Sequence, residues 1–257
     1  YLIHYIYLIV TPIPKKKMAK YLNIGFFIIM LVMNYLANAL PLNNKTTGQL
    51  SDSLPNLFVP AGITFSIWGL IYLLLIIYCI IQFTGSDQQV IGKISWLFGL
   101  SCIFNALWIV VWHYQKIPLS VLVMAGLLVT LIVINIHIKS LSYGLIKVAF
   151  GIYLGWICIA TIANITALLV YYNWNGFGMP EATWTIIMII TGALLVSVSI
   201  VKLNNPYIGL AVIWAFTGIF IKRQEDYRTI AFTAIAGLII VSVITLLAFL
   251  RKNIRLF

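Results

Sequence analysis

Eight apolar runs, near 21–40, 61–83, 93–112, 119–138, 147–171, 183–202, 206–221 and 229–250, leave this chain few ways to fold. A helix needs about 20 apolar residues to cross a hydrocarbon layer ~30 Å thick. Inside that layer every backbone N–H and C=O must be paired within the protein, so only helices and closed β-barrels span it. The alternating pattern of a barrel strand is absent. The fold class is therefore all-α: a polytopic transmembrane helix bundle of about eight spans. Composition agrees, since only 8% of residues are charged against roughly a quarter in a soluble domain.

The net charge of +11 would suggest nucleic acid as the partner of a soluble protein. Here the lysines and arginines sit between and beyond the spans, where they orient the chain, so no nucleic acid is expected. With the N-terminus inside, inner segments hold 11 of them and outer segments 5 (Lys45, Lys116, Lys222, Arg223 and Arg228). That excess places both termini in the cytoplasm. The dissenting cluster is KRQEDYR at 222–228, where Glu225 and Asp226 offer local partners. The expected location is a bacterial inner membrane. Residues 1–20 form a basic N-terminal segment, and MAKYLNIGFF from Met18 reads as a more natural beginning than the short apolar run Tyr1–Val10. Residues 1–17 are accordingly read as upstream of the true start.

No Asp, Glu, Lys or Arg falls in the middle of a span. Ion-coupled transporters and proton pumps usually carry such a group because it is costly unless it works. His113 and His137 stand at helix ends, where interfacial histidines are commonly solvated. There is no nucleotide-binding loop, no HExxH and no metal-ligand spacing, so an enzyme is not the expected reading and no cofactor is required. Cys79, Cys102 and Cys158 lie singly in apolar runs and read as small hydrophobes.

Three spans carry polar and aromatic residues at helical spacing. They are Thr64, Trp68 and Tyr72; then Ser101, Asn105, Trp108 and Trp112; then Tyr153, Trp156, Ala160 and Asn164. Such faces either glue helices together through amide and hydroxyl hydrogen bonds or line a cavity. Trp112, near a helix end, suits an interfacial aromatic belt, and Asn105 could pair with Asn164. Asn105 and Trp108 lie too far from the helix end for the belt, which favours the cavity. Walls of indole and phenol with a few amides suit a flat, mostly apolar small molecule. A carboxylate on it would have to stay near the loops, within reach of Lys45 or Lys116.

The stripes resemble those of the TspO/MBR family, the tryptophan-rich sensory proteins related to the mitochondrial translocator protein. The family's second helix reads roughly P-x-x-x-F-x-x-x-W-x-x-L-Y, and PAGITFSIWGLIY keeps Pro60, Trp68 and Tyr72, with Thr64 at the aromatic position and Ile71 at the leucine. Its third reads Q-x-x-x-N-x-x-W, and SCIFNALW keeps Asn105 and Trp108 with Ser101 for the glutamine. Its fifth reads W-x-x-F-A-x-x-L-N, and WICIATIAN keeps Trp156, Ala160 and Asn164 with Ile159 and Ala163 substituted.

The resemblance implies a TspO-like five-helix bundle over 21–173, with 174–257 adding three transmembrane helices and a basic tail. It implies that 41–60 caps a ligand cavity whose wall includes Thr64, Trp68, Tyr72, Ser101, Asn105, Trp108, Tyr153, Trp156, Ala160 and Asn164. The implied ligand is a tetrapyrrole (porphyrin or heme) or a sterol-like molecule. The implied role is receptor or sensor, with a permease for the same ligand as the alternative. Expected partners are membrane lipids and that small molecule, and a homodimer is compatible with the sequence. The family's capping loop carries tryptophan and a proline pair; this one has no Trp, and Ala61 follows Pro60. Light-dependent porphyrin breakdown, which leans on those tryptophans, is therefore not carried over.

Overall fold

The computed structural model describes residues 15–39, 42–85, 87–142 and 144–254; Tyr1–Val10 lies outside them. Among the described residues there are nine α-helices and no strand. They are α1 (Lys15–Ala39), α2 (Thr47–Asp52), α3 (Ile67–Thr84), α4 (Gln88–His113), α5 (Ile117–His137), α6 (Leu145–Tyr171), α7 (Glu181–Leu203), α8 (Tyr207–Arg223) and α9 (Arg228–Ile254). Each apolar run has become one long helix. Seven are long and apolar enough to cross a membrane. The remaining one, α8, has 17 residues, a rise of about 25 Å at 1.5 Å per residue.

Local chemistry sets the reversals. Between α4 and α5 the chain turns through Gln115 at φ 55°, and Pro118 enters the first turn of α5, where its missing N–H costs nothing. Asn204, left-handed at φ 49°, ends α7, and Pro206 precedes α8. The short helix α2 is encoded by a capping box: Gln49 N donates to Thr46 Oγ1 at 3.2 Å, and Thr46 N donates to Gln49 Oε1 at 2.8 Å.

Helix α6 is the axis of the bundle, in contact with α3, α5, α7 and α8. Its residues Gly151 and Gly155, four apart, form the seam to α8. A Cβ on Gly155 would strike the backbone oxygen of Ile208, and one on Gly151 would lie 2.7–2.8 Å from the Asn205 amide. Two small residues at that spacing let helix backbones approach closely in a membrane, where lipid supplies no hydrophobic drive between helices. The last three helices therefore pack directly on the first five long ones (α1 and α3–α6).

A buried polar knot fixes the same seam at one end. Asn205 donates to Asn135 Oδ1 at 2.8 Å and to Lys147 O at 3.0 Å. The fully buried Lys147 ammonium donates to the carbonyls of Lys139 and Asn204 at 2.9 and 2.8 Å. The Asn204 carbonyl ends α7, where the helix dipole favours a cation, and that of Lys139 lies in the turn after α5. At the other end of the bundle, the 42–60 loop meets the end of α4, the start of α7 and the end of α8.

Candidate functional site

Beneath the 42–60 loop lies a cavity of about 640 Å³, within the roughly 300–1,000 Å³ range of small-molecule sites. Of the residues picked from the sequence, Trp68, Tyr72 and Trp108 line it. Val59, Pro60, Phe65 and Ile109 add to the apolar lining. The indole of Trp68 stacks on Tyr72 at 5.6 Å and meets the ring edges of Tyr153 and Trp156 at 6.0 and 6.3 Å. These contacts hold Trp68 in one orientation.

The other picked residues stand behind the wall. Asn105, 2% exposed, accepts from Asn34 Nδ2 at 2.7 Å and donates to Tyr153 Oη at 3.0 Å. Asn164 accepts from Trp108 Nε1 at 2.9 Å and donates to Ser120 Oγ at 2.9 Å. The two asparagines thus do not pair with each other; each fixes an aromatic side chain. Tyr153 and Trp156 are buried beneath Trp68, and Trp156 Nε1 finds no acceptor among the described residues. Ser101 is buried and donates to Phe98 O at 2.7 Å, while Ala160 packs against the core. Thr64 faces α8: its carbonyl accepts from Trp214 Nε1 at 2.8 Å, and its side chain occupies the space that a Cβ on Gly218 would need.

Two readings of helix-end residues change. Trp112 is buried, 5% exposed, stacked on Trp108 at 5.4 Å and clustered with Leu50 of α2, so it anchors the cap and is no belt residue. His113 is fully buried, with Nδ1 2.8 Å from Ile109 O and Nε2 3.5 Å from Thr47 Oγ1, and Asn43 donates to its carbonyl. Both are covered because the loop folds over the end of α4.

The polar side of the cavity was not read from the sequence. It comprises Asn34 and Asn38 of α1, Thr46, Thr47, Ser51 and Asp52 of the cap, and Lys222 of α8. Lys45 and Lys116 do not line it. The pair Asn34 and Asn38, one helical turn apart in an apolar run, was a signal of the kind used for the other three helices.

Residues Asn56 to Pro60 form a buried loop, and a buried loop must pair its backbone with something. Leu57 N donates to Glu181 Oε1 at 2.9 Å. Arg223 donates to Leu57 O at 3.0 Å and to Asn56 O at 2.9 Å. Ala61 N donates to Gly218 O at 3.0 Å, and Thr166 Oγ1 donates to Asn56 Oδ1 at 3.3 Å. So one of the dissenting charges of the 222–228 cluster, Arg223, holds the cap. Lys222 and Arg223 stand past the apolar part of α8. Partial burial first, then the Arg223 guanidinium, lower the pKa of Lys222, and Asp52, 4.0 Å away, opposes them. A second cavity of about 370 Å³ lies on the other side of the loop, among Phe58, Trp174, Glu181 and Trp184.

No curated protein and no solved structure matches the chain. A family model described as TSPO-like protein matches residues 20–247, from the first long helix into the last. With its motif residues gathered around one capped cavity and seven helices apt to cross a membrane, this integral multi-pass membrane protein belongs to the TSPO-like protein family.

Proposed function

We propose that the chain is a receptor or sensor-like membrane protein that binds a flat hydrophobic molecule, a tetrapyrrole or a sterol-like compound, in the cavity under the 42–60 loop. The observation that carries this reading is a partly open cavity of about 640 Å³ whose lining includes the aromatic rings of Phe65, Trp68, Tyr72 and Trp108. Aromatic faces supply burial and stacking to a planar ligand; the Asn38 amide and Asn34 Oδ1 supply orientation, since the Asn34 N–H groups are taken by Met30 O and Asn105 Oδ1. Rigid placement of the wall favours binding, because less freedom is lost when the ligand enters. The hydrogen bond from Trp108 to Asn164 and the ring contacts of Trp68 supply that rigidity. With both termini cytoplasmic, as the lysine and arginine distribution favours, the cap would face outward across a bacterial inner membrane.

The test is titration of the detergent-solubilised protein with protoporphyrin IX, followed by tryptophan quenching. Gly62→Phe is the informative variant: Gly62 lines the cavity, and a Cβ there meets nothing within 4 Å. Ala160→Phe, outside the lining, serves as the comparison. Saturable binding weakened by the first change and spared by the second supports the reading. Binding that ignores Gly62→Phe puts the ligand elsewhere. Ligand flux into proteoliposomes would make the protein a permease for the same class of molecule.

A further inference from the structure

We propose that the molecule taken by this cavity carries an acidic group, a carboxylate or a phosphate, and that Lys222 binds it in place of Asp52. The proposal rests on the cavity reading above and adds the chemistry of the ligand's polar end.

The cavity lining is chemically mixed. Phe65, Trp68 and Trp108 supply aromatic surface, and Ser51, Asp52 and Lys222 supply polar and charged groups. A bare hydrocarbon ring would leave the polar groups unanswered. Lys222 Nζ has donors and no acceptor, so whatever satisfies it must accept. Its nearest carboxylate, Asp52, is 4.0 Å away, beyond hydrogen-bond length. A pair that long and that exposed contributes little and is easily exchanged. The neighbouring Arg223 is already engaged by the carbonyls of Asn56 and Leu57.

Burial decides the sign of the ligand's charge. The Asp52 side chain is 75% exposed and that of Lys222 32%. Water already solvates the carboxylate, so a cationic ligand gains little there. The ammonium has lost much of its water and gains more from a new partner, because charges interact more strongly where solvent is thin. An incoming anion therefore displaces Asp52 into solvent, where most of its surface already lies. The lysine comes from α8, so the polar half of the site depends on a helix outside the first five.

The experiment compares protoporphyrin IX with its dimethyl ester, which has the same ring and no acid, on the full chain in detergent. Wild type should bind the acid roughly tenfold more tightly than the ester, the worth of one charge-assisted contact at a partly exposed site. Lys222→Gln should remove most of that preference, weakening the acid about tenfold more than the ester. Asp52→Asn should tighten binding of the acid by a few fold. Equal affinity for acid and ester, or a Lys222→Gln variant that weakens both alike, overturns acid recognition while the cavity reading stands. Absence of binding by both forms removes the tetrapyrrole reading of the cavity, and this proposal falls with it.

Discussion

Replacing Arg223 by methionine keeps the length and apolar stem of the side chain and deletes its charge and donors. The guanidinium holds two carbonyls of a buried loop, Leu57 O at 3.0 Å and Asn56 O at 2.9 Å. A hydrogen bond with one charged partner contributes about 1.5–3 kcal/mol when dry. Arg223 is only half-buried, so water can reach the orphaned carbonyls, and halving the sum leaves about 2 kcal/mol for the pair. That corresponds to a roughly 30-fold larger open population of the cap.

Hydrogen–deuterium exchange of the detergent-solubilised protein reads this directly. The amides to follow are Leu57 N–H, bound to Glu181, and Val59 N–H, bound to Asn56 Oδ1 at 3.2 Å. Both should exchange about 30-fold faster in the variant. Ala61 N–H donates to the α8 backbone at Gly218 O and should change less. Glu181→Gln retains an acceptor for Leu57 and should have a smaller effect, and the two changes should couple because they hold the same residue. Unchanged exchange at Leu57 and Val59 would refute the clamp. So would acceleration spread evenly over the helices, which would signal lost global stability instead.

Gly155→Leu should separate α6 from α8, since its side chain has to displace the Ile208 carbonyl and the Ala211 Cβ; overpacking costs ~1–3 kcal/mol, with the upper end expected against backbone, read as a lower temperature at which the protein leaves the monodisperse peak in size exclusion. Asn105→Ala should cost about 1–3 kcal/mol by stranding the Asn34 amide and the Tyr153 hydroxyl; the double change with Asn34→Ala should cost less than the sum, and strict additivity in thermal stability would count against the contact.

The helices were legible in the sequence because length and apolarity are what a bilayer demands, and each of the eight runs maps to one long helix. Which face each helix turns inward was harder to read. In lipid the outside is as apolar as the core, so hydrophobic periodicity carries little contrast, and only small and polar residues mark the interior. That logic led to Trp68, Asn105, Trp108 and Asn164, which the fold brings to one end of the bundle. Applied to α1 it would have found Asn34 and Asn38, and applied to glycine it would have found Gly151 and Gly155. Lys222 and Arg223 could not be placed this way. Their partners, Asp52, Asn56 and Leu57, lie more than 160 residues away in the sequence, and local pattern holds no record of such distant pairings.

The capping loop of the TspO/MBR proteins that this chain resembles carries tryptophan and a proline pair, whereas 41–60 has no Trp and Ala61 follows Pro60. What replaces them follows from the burial of residues 56–60. A buried loop needs partners for its peptide groups, and the first five helices supply Thr166 to the Asn56 side chain. The backbone partners come from the later helices: Glu181 for Leu57 N, Arg223 for Leu57 O and Asn56 O, and Gly218 for Ala61 N. Gly218 also leaves room for Thr64 and Pro60, where any Cβ would collide with both. The glycine seam of α6 seats α8 at the depth that brings these groups to the loop. The cap, α7 and α8 are therefore one device: the charges of Glu181 and Arg223 and the close backbone approach at Gly218 hold the buried loop in place.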